Sequence, residues 1–338
     1  TKYLAIEYFK ADEWFKTTCT TDLKQIRAVA KVLTNYRKDV SRVNKVLETV
    51  QINQCGGKWA DIDFGKKVTS ITMSKQKTAF LNKKKNNQER YPENEDRVQC
   101  AANYSQYISD CAEGKETIKG KRVSMYDFVK DALHARALSK TDSHRKTIDL
   151  QWRDNSTQTD ALKNMIAMVD VSGSMESDHC TPLYNAIGLG IRIAEKSTLG
   201  KRVMTFSSKP NWVTLDDCTD FVDTVSKLKE SEWGTNTNFY AAFDLIVNAY
   251  IGMDMDPDNV EEVTLVILSD MQIDQADNNS LTMFETMEKK FADAGLRSRF
   301  KKPYKLPTLV FWNLRSTNGF PVTSTTKNTV MVSGYSPS

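Results

Sequence analysis

The chain is poor in the residues on which many enzymes and zinc proteins depend. Among its 338 residues are only three histidines, His134, His144 and His179, and six cysteines, Cys19, Cys55, Cys100, Cys111, Cys180 and Cys218. No two cysteines form a C-x-x-C pair, so the spacing argues against a structural zinc site. Dispersed cysteines in a chain of this size point to reduced thiols and a cytoplasmic location. No apolar run approaches the roughly 20 residues that span a bilayer, and no signal peptide is legible at Thr1. The expectation is no membrane partner. The sequence does not begin with Met and reads as helix from Tyr3, so a natural start upstream is expected. There is no G-x-x-x-x-G-K-[ST] phosphate loop. Ser172-Gly-Ser174 is not the centre of a G-x-S-x-G elbow. Asp170-Val-Ser172 lacks the second Asp that an aspartyl-phosphate phosphatase places two residues on. These absences favour a protein that is not an enzyme.

What is present describes an ordinary globular protein, with 40% hydrophobic and 27% charged residues. The length suits two domains. The net charge of +4 conceals an asymmetry. Residues 1–150 hold 29 Lys and Arg against 19 Asp and Glu, a net +10, whereas residues 151–338 hold 18 against 24, a net −6. A basic front and an acidic back suggest different tasks, with a polyanion as a partner for the front.

Residues 1–50 have helical spacing: Leu4, Tyr8, Ala11 and Phe15 share one face, and Ile26, Val29, Leu33, Tyr36, Val40, Val43 and Leu47 another. Gln54-Cys-Gly-Gly-Lys58 is a breaker, and Trp59–Phe64 an irregular packing segment. Helical spacing returns at 68–82 and 98–111, separated by the polar stretch 83–97. Ser124-x-x-Asp127 caps a helix running to about Leu138. Residues 139–160 are polar and read as a connection, which sets an all-α helical domain at 1–155, whose helix pairs could stack as repeats, and an α/β domain at 156–338. In the second part, strands at 164–170, 201–206, 263–269 and 308–312, with weaker ones at 211–215 and 329–332, alternate with helices at 181–197, 219–230, 238–250 and 281–294. Such alternation predicts a doubly wound, mostly parallel sheet.

The run Asn164–Val169 ends in Asp170-Val-Ser172-Gly-Ser174. An apolar run bounded by turn residues suits a strand buried on both faces, and loops at the carboxyl ends of such strands are where open α/β sheets bind ligands. One carboxylate and two hydroxyls at i, i+2 and i+4 are hard oxygen donors, matched to Mg²⁺, Ca²⁺ or Mn²⁺ rather than zinc. Alone, the motif serves equally well as a turn and helix cap. A second apolar run, Val263–Ser269, also ends in an Asp, Asp270, and Trp233-Gly-Thr235-Asn-Thr237-Asn opens a helix with exposed hydroxyls. Three loops thus offer Asp170, Ser172, Ser174, Thr235 and Asp270, with Thr237 as a substitute for Thr235 and Asp274 as a supporting hydrogen-bond partner.

Asp170-x-Ser172-x-Ser174, Thr235 and Asp270 resemble the metal-ion-dependent adhesion site (MIDAS) of von Willebrand factor A (vWA) domains. The resemblance implies a Rossmann-like vWA fold and direct metal binding by Ser172 and Ser174. It also implies binding by Thr235 in the ligand-bound form, and aspartates acting often through water. Trp59-Ala-Asp-Ile-Asp, Lys77-Thr-Ala-Phe80, Glu232-Trp-Gly-Thr-Asn-Thr, Ser269-Asp-Met-Gln-Ile-Asp274, Val310–Arg315 and Val332–Ser336 resemble an uncharacterised vWA-containing family of plants and large DNA viruses. The layout, helices and then a vWA domain, is similar to the Ro autoantigen, whose helical ring binds RNA. A departure is the end at Ser338 without the closing helix usual in vWA domains.

The resulting expectation is a binding protein that uses a divalent cation, Mg²⁺ foremost, to engage an acidic group of a partner protein. Two alternatives follow from other residues. Lys75, Lys77, Lys83, Lys84, Lys85 and Arg90, interleaved with Phe80 and Tyr91, suit an RNA backbone. A metal-dependent hydrolase would need a general base, with His179, Glu176 and Asp178 as candidates. A second basic stretch, 297–305, reads as a solvated connection.

Overall fold

The computed structural model describes residues 22–137, 141–156, 162, 164–205, 208–231, 239–260, 262–271, 280–315 and 328–335. The chain forms two compact units, Thr1–Lys84 with Gln88–Asp110, and Lys85–Asn87 with Cys111–Ser338.

The first unit is helical. Its described helices are α1 (Asp22–Val46), α2 (Val50–Cys55), α3 (Ser70–Phe80) and α4 (Glu95–Ala112), which runs to the edge of the unit. Thr69 caps α3, its hydroxyl accepting from the Thr72 amide at 3.2 Å. The core is aromatic: Phe64, Phe80 and Tyr104 are in mutual contact, with centroids 4.9–5.5 Å apart. The irregular segment after the Gly pair becomes a short 3-10 turn, Trp59–Asp61. Its Trp59 and Ala60 amides donate to the Asp96 carboxylate at 2.8 and 2.9 Å, and the Arg97 guanidinium lies 3.5 Å over the Trp59 ring. The expected stripe at Leu4, Tyr8, Ala11 and Phe15 lies outside the described residues.

The second unit begins with α5 (Met125–Ala137) and α6 (Asp142–Asn155) and continues as α/β: β1 (Met165–Val169), α7 (Ser177–Lys196), β2 (Arg202–Thr205), β3 (Trp212–Thr214), α8 (Phe221–Glu230), α9 (Phe239–Gly252), β4 (Thr264–Ser269), α10 (Ser280–Arg297), β5 (Thr308–Asn313) and β6 (Thr329–Ser333). The sheet order is β3-β2-β1-β4-β5-β6, and every pair is parallel except β2–β3. This is the doubly wound order, with its switch point between β1 and β4. Alternate residues of the central strands face opposite sides. Ala167, Val169, Val266 and Leu268 pack with α7 and α8, whereas Ile166, Met168, Leu265 and Ile267 pack with α9 and α10.

Helix α7 is sandwiched. From Pro182 to Ala194 every residue except Tyr184 is buried, so the helix is packed on all sides and is apolar there except at Asn185 and Arg192. A methyl group on Gly190 would collide with Val169 of β1, and one on Gly188 would press on Met125 and Val129 of α5. The hairpin α5–α6 therefore forms a further layer outside α7 and α8.

Polar side chains lock that layer. Trp152 of α6 stacks on Phe221 with centroids 4.0 Å apart and donates from Nε1 to Glu195 at 2.8 Å. The buried Arg192 lies 3.6 Å over the Trp152 ring and donates to its carbonyl. Arg145 grips Asp220 with both Nε (2.9 Å) and Nη2 (2.8 Å), and reaches Asp223 at 2.9 Å. Asp149 accepts from the Phe221 amide at the start of α8. Composition places a boundary near residue 155, while packing places it near residue 110. The stretch 139–160 reads as a connection in the sequence because Arg145, Asp149 and Trp152, polar groups within it, bond to neighbouring helices.

Candidate metal centre

Strand β1 is buried on both faces and delivers Asp170 to the carboxyl edge of the sheet. The Asp170 amide still donates to the Leu268 carbonyl at 3.0 Å, so the residue continues the ladder to β4 before the loop departs. Its side chain is only 3% exposed. Oδ1 accepts from the Ser172 amide at 2.8 Å, and Oδ2 accepts from the Ser269 hydroxyl at 2.7 Å. Ser269 Oγ in turn accepts from the Met271 amide at 3.2 Å, linking the loops after β1 and β4. Burial holds the Asp170 carboxyl above its ordinary pKa range; the bonds from Ser269 and Ser172 oppose that, and the negative charge of Asp270 adds to it.

Beyond Ser172 the chain makes a 3-10 turn, Gly173–Glu176, closed by the Met175 amide donating to the Ser172 carbonyl. The fully buried Met175 side chain anchors the turn. As a result, the half-buried Ser172 and Ser174 hydroxyl oxygens stand 3.1 Å apart. Next come three successive left-handed residues, Asp178, His179 and Cys180. The Tyr126 hydroxyl of α5 donates to the His179 carbonyl at 3.4 Å.

Asp270 follows β4 and is 1% exposed. The Leu314 amide donates to the Ser269 carbonyl, which extends the β4–β5 ladder and places Arg315 beside Asp270. Arg315 Nη1 lies 3.4 Å from Asp270 Oδ2. The structure thus brings together Asp170, Ser172, Ser174 and Asp270 of the expected set at the sheet's switch point. Thr235, Thr237 and Asp274 lie outside the described residues. Ser269 and Arg315 had no assigned role in the sequence; the available signal was their place at the ends of apolar strands next to loop residues.

The donor set fits a hard cation. All side-chain donors are oxygen: two buried carboxylates follow the adjacent strands β1 and β4, and the paired hydroxyls lie in the loop after Asp170. Among the described residues there is no group of three or more His, Cys, Asp or Glu able to hold a metal, so an ion here must rely on hydroxyls as well.

The other candidates are dispersed. Glu176, Asp178 and His179 are exposed on the turn. Of the basic set, Lys77 is 3% exposed with Nζ donating to the Ser74 carbonyl, and Phe80 is fully buried, so neither reaches a polyanion. Helix α3 turns both inward because its own face forms the core. Lys83 pairs with Glu89, while Lys84, Lys85, Arg90 and Tyr91 are exposed. In the stretch 297–305, Arg299 pairs with Asp254 and Lys302 with Asp258.

A family model described as Domain of unknown function (DUF7788) matches residues 164–338, more than half of the chain. The chain belongs to that family. A second model, Domain of unknown function (DUF2828), matches residues 5–160. Among curated proteins, Uncharacterized protein L728 of Acanthamoeba polyphaga mimivirus is 31% identical over 310 residues, covering 89% of this chain and 50% of that protein. The chain therefore spans about half the length of that relative. Among solved structures, the crystal structure of Deinococcus radiodurans RO (RSR) protein aligns over 98% of this chain and 61% of that one, at 14% identity and a TM-score of 0.49. Among the described residues no helix is long and apolar enough to cross a membrane.

Proposed function

We propose that this DUF7788 chain is a divalent-cation-dependent binding protein, not an enzyme, and that the edge of its sheet at β1 and β4 engages an acidic group of a partner protein. One observation carries the reading: two buried carboxylates, Asp170 and Asp270, end adjacent parallel strands beside two hydroxyls 3.1 Å apart. Bound Mg²⁺, or Ca²⁺ or Mn²⁺ in its place, would supply an electrophilic centre with a position open to an anion. Ser172 and Ser174 are the direct donors in this reading, joined by Thr235 or Thr237. Asp170 orients the loop through the Ser172 amide. Asp270 supplies the second negative charge, and Asp274 supports the set from outside. With hydroxyls as the direct donors, the cation stays electrophilic toward an incoming carboxylate.

Calorimetric titration of Mg²⁺ into the metal-free chain tests this. Wild type is expected to bind, and Asp170→Ala to weaken binding by at least about tenfold, since both the charge and the loop's hydrogen bond are lost. Equal affinity for the two proteins would sink the assignment.

A further inference from the structure

The site holds a permanent cation of its own. Arg315 leaves β5 one residue past the ladder, and its amide is fixed by donating to Asn313 Oδ1 at 2.9 Å, Asn313 being buried. The side chains of the ion pair differ sharply in exposure: Asp270 is 1% exposed and Arg315 is 27%. The guanidinium is therefore the solvent-accessible member of the pair and the carboxylate the buried one. Among the described residues it pairs with Asp270 alone, through one contact of 3.4 Å. A guanidinium has five N–H donors in a planar fork that matches a carboxylate. Most of that capacity is left for an incoming group.

Formal charges give this arrangement a sign. Asp170, Asp270 and Arg315 together leave one net negative charge. A divalent cation added to these three turns the sum into one net positive charge. Without Arg315 the loaded set would be neutral. An acidic ligand is thus repelled by the empty site and attracted by the loaded one, and Arg315 converts neutralisation into reversal.

We infer that Arg315 is a recognition residue of this site: it competes with the divalent cation for Asp270 and, once displaced, binds the same carboxylate ligand that occupies the cation's open position. This rests on the cation-dependent reading above, and it names how the site selects its ligand.

The test uses the full metal-free chain as wild type, Arg315→Ala, Arg315→Lys and Asp170→Ala. Mg²⁺ is titrated calorimetrically in chloride and again with acetate, the carboxylate probe, replacing chloride at constant ionic strength. In chloride, Arg315→Ala is expected to bind Mg²⁺ about fivefold more tightly than wild type, because the competing charge is gone. Acetate is expected to strengthen Mg²⁺ binding most in wild type, less in Arg315→Lys and least in Arg315→Ala, where only the cation's open position is left to hold it. Without metal, Arg315→Ala is expected to melt below wild type, since Asp270 stays buried with its ion pair removed. If wild type and Arg315→Ala share one Mg²⁺ affinity and one acetate response, Arg315 has no such role and the cation site stands without it. If wild type matches Asp170→Ala in failing to bind Mg²⁺, the cation-dependent reading itself is overturned, and this inference with it.

Discussion

At the scale of single residues, the Ser269 hydroxyl is the small group with the largest reach. It donates to Asp170 and accepts from the Met271 amide, so one oxygen fixes both aspartate-bearing loops. Ser269→Ala removes that donor from a fully buried position and frees the Asp170 carboxylate to rotate. Partners that orient a metal's ligands typically change affinity by about ten- to a hundredfold. Mg²⁺ affinity of Ser269→Ala is expected to fall by about tenfold and the metal-free melting temperature to drop as well, since a buried carboxylate loses a donor; calorimetry beside a thermal melt checks both. An unchanged affinity would make Ser269 a packing residue only. Asp170, Ser172, Ser174 and Asp270 were legible in the sequence because each closes or follows an apolar run. The roles of Ser269 and Arg315 were not, because their partners lie 99 and 45 residues away. Local spacing carries no trace of such a pairing.

At the scale of elements, α6 shows how a polar sequence makes a packed helix. Its charges serve the start of α8: Asp149 takes the Phe221 amide, and Arg145 holds the capping Asp220 and Asp223. Arg145→Ala is expected to lower the melting temperature by about 2–4 °C near neutral pH, equivalent to roughly 1 kcal/mol in a unit of this size. The effect has a pH signature. The Thr219 hydroxyl, and then Arg145, hold the Asp223 carboxyl below its ordinary value. A depressed carboxyl stabilises the fold above its unfolded pKa, and that share is lost as pH falls through the lowered value. The gap in melting temperature between wild type and Arg145→Ala should therefore narrow as pH falls below the ordinary aspartate range; a constant gap would show that the ion pair is not its source. The continuous apolar runs of β1, β4 and β5 revealed themselves readily, and even the short edge strands β3 and β6 lie where alternation placed them. Helix α6 did not, because hydropathy treats a charge bonded to a neighbouring helix and a charge in water alike.

At the scale of the whole molecule, the consequence is where the chain can be divided. The layer α5–α6 covers α7 and α8, and the segment before it is strapped down too. The Gly120 amide donates to Asp154, and Gln151 donates to the Lys119 carbonyl. A polypeptide from Cys111 to Ser338 is expected to melt cooperatively. One from Ser156 to Ser338 is expected to aggregate, because it exposes the α5-facing side of α7, where each large apolar side chain left in water costs about 1.5–3 kcal/mol. Gel filtration and circular dichroism melts separate the outcomes, and an equally cooperative melt from the shorter piece would place the folding boundary near residue 155. Helix α7 also constrains how this sequence can drift over generations. Each residue from Pro182 to Ala194 except Tyr184 answers to packed neighbours rather than to water. A bulkier residue at position 188 needs room made in α5, and one at 190 needs room made in β1. Substitutions in α7 should then arise as linked sets that span the two stretches matched by separate family models, tying their histories together.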